Sequence, residues 1–177
     1  MEPLEIAERL KEKFLNEIVD VSRFRDQVFV KVKREKVLDI CRFLHDEPDI
    51  YMDYLADLCG VDFPGRRQRF EVVYNMYSMR HGHRLVVKAQ IPENDPTVDS
   101  VVPVWNGANW HEREACDMYG ILFNGHPDLR RILMPEDWEG YPLRKDYPLK
   151  GPEGYEYKGF DEIKELHTHD KEWNIQA

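Results

Sequence analysis

The chain has 177 residues, 42% hydrophobic and 12% aromatic, with a formal charge of −9. That suffices for one core-bearing domain plus an extension, and the aromatic content argues against a disordered chain. The acidic balance disfavours a nucleic-acid-binding module, whose affinity rests on neutralising phosphates with Lys and Arg.

The chain begins MEPLEIAERLKEKF, mixing acids and bases without a continuous apolar stretch, so it reads as a folded helix and not a targeting peptide. Leu4 to Leu15 has the helical period through Ile6, Leu10 and Phe14, widened by Leu4 and Ala7. Ile18 to Phe24 is a short strand candidate. Gln27 to Lys33 alternates Val28, Val30 and Val32 against Lys31 and Lys33. The basic cluster from Arg23 to Lys36 fits a solvated strand face and helix start better than a phosphate site. Arg34 to Leu44 returns to the helical period through Val37, Ile40, Cys41 and Leu44. Tyr51 to Phe63 is mixed, a strand or turn ending before Pro64-Gly65.

Two stronger strands follow. Arg69 to Tyr77 sets Phe70, Val72, Tyr74 and Met76 on one face, and His83 to Ile91 does the same with Leu85, Val87, Ala89 and Ile91. Arg80-His81-Gly82-His83 suits the hairpin turn between them, with Gly82 supplying a positive φ. After Pro92, Pro96 and Pro103 a helix is expected, capped by Asn106 or Asn109 and ended by Gly120. These pieces predict an α+β fold with helices packed on one face of an antiparallel sheet, spanning residues 1–120. Residues 121–177 are expected to be an extended C-terminal segment with little regular structure. Five of the 11 prolines and five of the 10 glycines lie beyond Gly120. So many breakers preclude long elements, yet the aromatics require a surface to lie on.

No apolar run approaches the roughly 18 residues of a membrane span. Cys41, Cys59 and Cys116 form no CxxC pair and read as free thiols, not a disulfide or iron–sulfur framework. The helix Trp110 to Tyr119 contains His111-Glu112, but the second histidine of a zinc-hydrolase HExxH helix is replaced by Ala115. Glu114 and Asp117 lie three apart, with Arg113 spaced to pair with Asp117, so a charge network is preferred to acid–base catalysis. A free-standing metal hydrolase using His111, Glu114 and Asp117 is the rival from another class. His81/His83 and His167/His169 read as a turn and a tail. Neither GxGxxG after a strand nor GxxxxGK[ST] occurs.

Beyond the helix, Arg130, Arg131, Arg144 and Lys145 alternate with Asp128, Glu136, Asp137, Glu139 and Asp146. Ile132, Leu133, Met134, Trp138, Tyr141, Leu143 and Tyr147 lie between them. Aromatics and arginine are enriched at protein interfaces, and mixed charge fixes register. The later part of this ribbon is therefore expected to meet a partner, although Ile121 to Leu133 has the alternative of packing on its own sheet.

Residues 111–149 resemble the signature of the 30 kDa subunit family of respiratory complex I, the NADH:quinone oxidoreductase. Glu112-Arg113-Glu114 is followed by Asp117, Met118 and Tyr119; His126, Arg130, Ile132 and Leu133 continue the pattern, and Gly140 to Pro148, GYPLRKDYP, completes it. The resemblance implies a non-catalytic scaffold in the peripheral arm, with no cofactor bound by this chain. FMN, iron–sulfur clusters, NADH and quinone are expected in the assembled complex. The implied partners are the 49 kDa-type neighbour and other peripheral-arm subunits, reached through Glu112, Arg113, Glu114, Asp117, His126, Arg130, Arg131, Trp138, Tyr141, Arg144, Lys145, Asp146 and Tyr147. No nucleic acid is implied, and membrane association runs only through the complex, on the cytoplasmic side of the inner membrane in a bacterium. The chain resembles the form unfused to its neighbour. The equivalent subunit of a membrane-bound hydrogenase, formate hydrogenlyase or F420H2 dehydrogenase is the nearest alternative.

Overall fold

The first helix, α1 (Pro3–Lys13), starts where Pro3 needs no N–H partner and Glu5 reaches back to accept the Glu2 N–H at 3.0 Å. It presents Ile6, Ala7 and Leu10 to the core. The computed structural model describes residues 1–149 and 151. Strands β1 (Ile18–Phe24) and β2 (Gln27–Lys33) form an antiparallel hairpin turned at Arg25 and Asp26, with Arg25 at φ 55°. A short 3-10 turn, Arg34–Lys36, leads into α2 (Val37–Asp46), whose buried stripe is Val37, Ile40, Cys41 and Leu44. Strands β3 (Tyr54–Asp62), β4 (Phe70–Tyr77) and β5 (Arg84–Ile91) then meander. Gly82 turns the last hairpin at φ 71°.

The five strands are ordered β1-β2-β5-β4-β3. The expected all-antiparallel sheet is corrected at one ladder, because β2 and β5 run parallel. The physical reason is topological: α2 carries the chain across the sheet to the far edge, and the β3-β4-β5 meander returns beside β2 in the same direction. Val30, Val87, Tyr74 and Leu58 form one row across four strands of the inner face. All four are buried beneath the helices. A fully buried aliphatic side chain of this kind contributes about 1.5–3 kcal/mol. The next row, Lys31, Lys88, Val73 and Cys59, belongs to the outer face.

Helix α3 (Ala108–Tyr119) connects the two strands of a small parallel pair, β6 (Thr97–Asp99) and β7 (Leu122–Asn124). Those two strands have three residues each, too short for alternation to reveal them in the sequence. Neither Asn106 nor Asn109 caps α3: Gly107 occupies that position without a side-chain bond, and Asn109 lies within the helix. Gly120 does end it, at φ 71°, with its N–H on the Cys116 carbonyl. The helix lies on the inner face beside β3, where Gly60 has no Cβ and the Tyr119 ring fills the space; a Cβ there would sit 2.6 Å from Cδ2.

The boundary expected at Gly120 is also corrected. Residues Met1–Tyr147 form one unit, and Pro148–Ala177 belong to a second. Ile121 and Phe123 are buried in the main core and β7 pairs with β6, so the chain cannot leave the domain at Gly120. From Gly125 to Tyr147 it carries neither helix nor strand. Trp173, His167 and His169 lie outside the described residues.

Candidate functional site

The charged face of α3 and the ribbon following β7 form one assembly. Asp117 is its centre, 2% exposed. Its Oδ2 accepts the consecutive N–H groups of Ile132, Leu133 and Met134 at 3.1, 2.9 and 2.9 Å. Its Oδ1 accepts Arg131 Nη1 at 2.7 Å. Burial alone would raise this carboxyl, but the Met134, Leu133 and Ile132 amides and Arg131 outweigh it, holding Asp117 below the ordinary aspartate range.

The spacing expectation that Arg113 pairs with Asp117 is corrected. Arg113 instead donates Nε to the Arg130 carbonyl and Nη2 to the Arg131 carbonyl, both at 3.0 Å. The helical i,i+4 partner is displaced because Asp117 faces a closer guanidinium supplied by the ribbon. Arg131 continues inward, donating Nη2 to the Trp138 carbonyl at 3.0 Å. His126 donates Nε2–H to the Asn109 carbonyl while its Nδ1 accepts the Asp128 N–H, an arrangement of the neutral ring. Arg130 closes a two-point pair on Asp128 and remains largely exposed.

A second anchor holds the ribbon's far end. Arg144 donates Nε to the Tyr119 carbonyl at 2.7 Å, and its guanidinium lies 4.4 Å from the Tyr141 ring centroid and 5.0 Å from that of Phe70. The Leu143 N–H reaches the Met118 carbonyl. Arg69, 5% exposed, makes a two-point pair with Asp62 and also binds Glu93 and Asp146 at 2.6 and 2.7 Å. The Lys145 N–H adds a 2.7 Å bond to Asp62. Arg69 draws both Asp62 and Asp146 below the ordinary aspartate range. Tyr147 donates its hydroxyl to the Glu139 carbonyl at 2.8 Å, and its ring occupies the space beside Gly140.

Of the thirteen residues expected to meet a partner, Arg113, Asp117, Arg131, Arg144 and Asp146 therefore work within the chain. Glu112 is wholly buried and faces the core, whereas Glu114 is exposed. Trp138 and Tyr141 are half-buried under the ribbon, and the Lys145 side chain points outward. Arg69 and Asp62 were missed by sequence reading: Arg69 stood at the start of an expected strand and Asp62 in a stretch left as strand or turn, and nothing local signals a bond across 77 positions to Asp146. Three large apolar groups remain exposed around the seat: Trp110 at 61%, Leu133 at 60% and Leu143 at 45%.

Among the described residues, the hydrolase candidates are not gathered into a metal site. His111 lies 3.6 Å from Asp57 on β3, Glu114 is exposed, and both Asp117 oxygens are already occupied. Among the described residues no group of three or more His, Cys, Asp or Glu is gathered as metal ligands. The His81 and His83 rings stack 5.5 Å apart and hold the Pro48 and Ile50 carbonyls, so this pair fastens a loop. No helix among the described residues is long and apolar enough to cross a membrane.

Helix α3, β3 and β4 thus seat an irregular ribbon and leave Trp110, Leu133 and Leu143 exposed. The chain belongs to the respiratory-chain NADH dehydrogenase 30 kDa subunit family, whose pattern matches residues 30–153. It is 53% identical over 152 residues to the corresponding NADH-quinone oxidoreductase subunit of Geobacter sulfurreducens, covering 85% of this chain and 93% of that one. The counterpart from a Roseiflexus species is 48% identical over 148 residues, covering 84% and 85%. A trypsin-resistant fragment (1-134) of Nqo5 superposes with a TM-score of 0.62 at 29% identity, covering 73% of this chain and all of that fragment. A chain of an archaeal membrane-bound sulfane sulfur reductase shares the fold, with a TM-score of 0.67 at 22% identity, covering 93% and 91%.

Proposed function

We propose that the chain is a non-catalytic scaffold subunit in the peripheral arm of a proton-translocating NADH:quinone oxidoreductase. Its α+β domain packs on the electron-transfer arm, and the ribbon docks the 49 kDa-type neighbour. FMN, the iron–sulfur clusters, NADH and quinone are assigned to the partners and none to this chain. The three thiols are dispersed: Cys41 sealed in the core, Cys59 on the outer face and Cys116 on α3. The complex holds this subunit on the cytoplasmic side of the inner membrane in a bacterium.

The observation carrying this reading is the Asp117 cradle. It fixes Ile132 to Met134 by their backbone amides and leaves Leu133 outward, so the ribbon is ordered while offering an apolar side chain. Leu143 and Trp110 extend the same offer. A well-packed apolar anchor can dominate binding, whereas rim charges such as Arg130 contribute little.

The test is truncation after Gly125, which spares β7. The expected result is a folded domain that no longer co-purifies with the other peripheral-arm subunits, with loss of NADH:quinone activity in the membrane. Retained assembly and full activity would remove the ribbon from this role. Mass spectrometry of the intact complex identifies the electron donor: hydrogenase, formate or F420H2-oxidising subunits in place of the NADH-oxidising ones would assign the chain to a related complex.

A further inference from the structure

Helix α3 turns one carboxyl group into the core that the ribbon seat does not use. Glu112 is wholly buried. Its Oε1 accepts the Val101 N–H at 2.7 Å, and its carboxyl group also hydrogen-bonds the Ser100 side chain. Its Oε2 is buried without a partner, as is the Tyr74 hydroxyl on β4.

The groups around this carboxyl offer no counter-charge. Helix α2 contributes the Cys41 thiol, β4 contributes Tyr74 (itself influenced by Asp99), and the segment after β6 contributes Ser100. On α3 itself, Arg113 is committed to the ribbon and His111 lies beside Asp57. Among the described residues no Lys or Arg forms a salt bridge with Glu112. A carboxylate enclosed this way would lose its hydration with half its acceptor capacity unmet, the costliest way to bury a charge. A carboxylic acid removes the charge, and the oxygen that accepts no hydrogen bond is the one free to carry the proton.

We propose that Glu112 is carried in the folded domain as a neutral carboxylic acid with its proton on Oε2, so that folding takes up one proton from solvent. The same burial pushes the group up to about 7, against the downward pull of Ser100 and the Val101 amide. The folded form then binds the proton more tightly than the unfolded chain, whose glutamate titrates near 4.5. Stability attributable to this group is full below pH 4.5, declines as pH rises towards 7, and is flat above that. Glu112 and Asp117 project from the same helix, one to the core and one to the ribbon, so the core proton bears on the element that seats the ribbon. This proton uptake belongs to the isolated chain and does not depend on the assembly proposed above.

The experiment is urea unfolding of the full chain and of Glu112→Gln from about pH 5 to about pH 8.5. The wild-type folding constant is expected to fall, relative to that of the variant, by up to roughly 75-fold across this window, the part of the 2.5-unit difference between about 7 and 4.5 that lies above pH 5. Parallel pH profiles for the two proteins would overturn the proposal. Carbon-13 NMR titration of the glutamate carboxyls in the full wild-type chain gives a reading that needs no variant. One glutamate still protonated at about pH 6 is expected. If every glutamate has titrated below about pH 5, the proposal is lost even should Glu112→Gln fail to fold. Persistence of the near-neutral carboxyl in a folded Glu112→Gln variant would overturn it equally.

Discussion

The Arg69 guanidinium and the Asp62 carboxylate meet in a two-point ion pair at 2.8 and 3.0 Å, where β3, β4 and the ribbon converge. Asp62 ends β3 and Arg69 directly precedes β4, so the hairpin itself brings them together. The pair then becomes a receptor: Arg69 takes Asp146, and Asp62 takes the Lys145 amide. Two successive ribbon residues are thus held by opposite partners of one ion pair.

Arg69→Ala is expected to destabilise the chain by about 3 kcal/mol, because it leaves the buried Asp62 carboxylate uncompensated. Arg69→Lys should recover only part of that loss, since an ammonium cannot reproduce the fork that spans Asp62 and Asp146. Urea midpoints of the three proteins check this; equal midpoints for wild type and Arg69→Ala would count against the anchor.

Asp117→Asn removes the charge that gathers three amides and Arg131 while nearly preserving shape. Hydrogen exchange at Ile132, Leu133 and Met134 should accelerate at least about tenfold, as expected for loss of roughly 1.5 kcal/mol of local protection. Exchange in β4 and β5 should change far less. Uniform acceleration through the sheet would mean that Asp117 supports the whole fold and not the ribbon in particular.

Acid should release the ribbon. Asp117, Asp62 and Asp146 are all depressed below the 3.8 of a free aspartate. Their stabilisation is therefore complete above that value and is lost as pH falls through their lower folded values. Hydrogen exchange followed downward from about pH 5 should show ribbon protection failing only below about pH 4. Failure already near neutral pH would contradict this assignment.

Leu133→Asp combined with Leu143→Asp is expected to change the stability of the isolated chain by less than about 0.5 kcal/mol, because both side chains are exposed. The same pair should sharply reduce recovery of the chain with its complex. Normal assembly would shift the docking surface away from these two leucines.

Gly60→Ala should cost about 1–3 kcal/mol, since its Cβ would overlap the Tyr119 ring and push α3 away from β3. Tyr119→Leu in the same chain should relieve part of that cost. A double-mutant cycle measured by thermal unfolding tests the coupling; strict additivity would show that the ring does not occupy this space.

The two faces of the strands were legible because the inner face is a regular apolar alternation: Val28 to Val32, Phe70 to Met76 and Leu85 to Ile91 fall on it. The parallel β2–β5 ladder was not, since alternation reports which face a residue takes and nothing about its neighbour's direction. The helix that carries the charged signature was also readable, with Gly120 ending it as its left-handed geometry requires. The ribbon's composition correctly pointed to a surface, but Arg131 and Arg144 found it on their own domain. Long arginine side chains satisfy distant carbonyls and carboxylates equally well, so sequence spacing alone could not choose between self and partner.

The parallel ladder also dictates an order of events as the chain leaves the ribosome. Of the sheet, the β1–β2 hairpin emerges first and, as a two-stranded piece, is marginal by itself. Its parallel neighbour β5 is synthesised only after the crossover helix and two further strands, with Val30 waiting for Val87. Closing that long loop is a late and entropically costly step. Until it closes, the nascent chain is two half-sheets, each presenting an unpaired border that the finished fold conceals between β2 and β5.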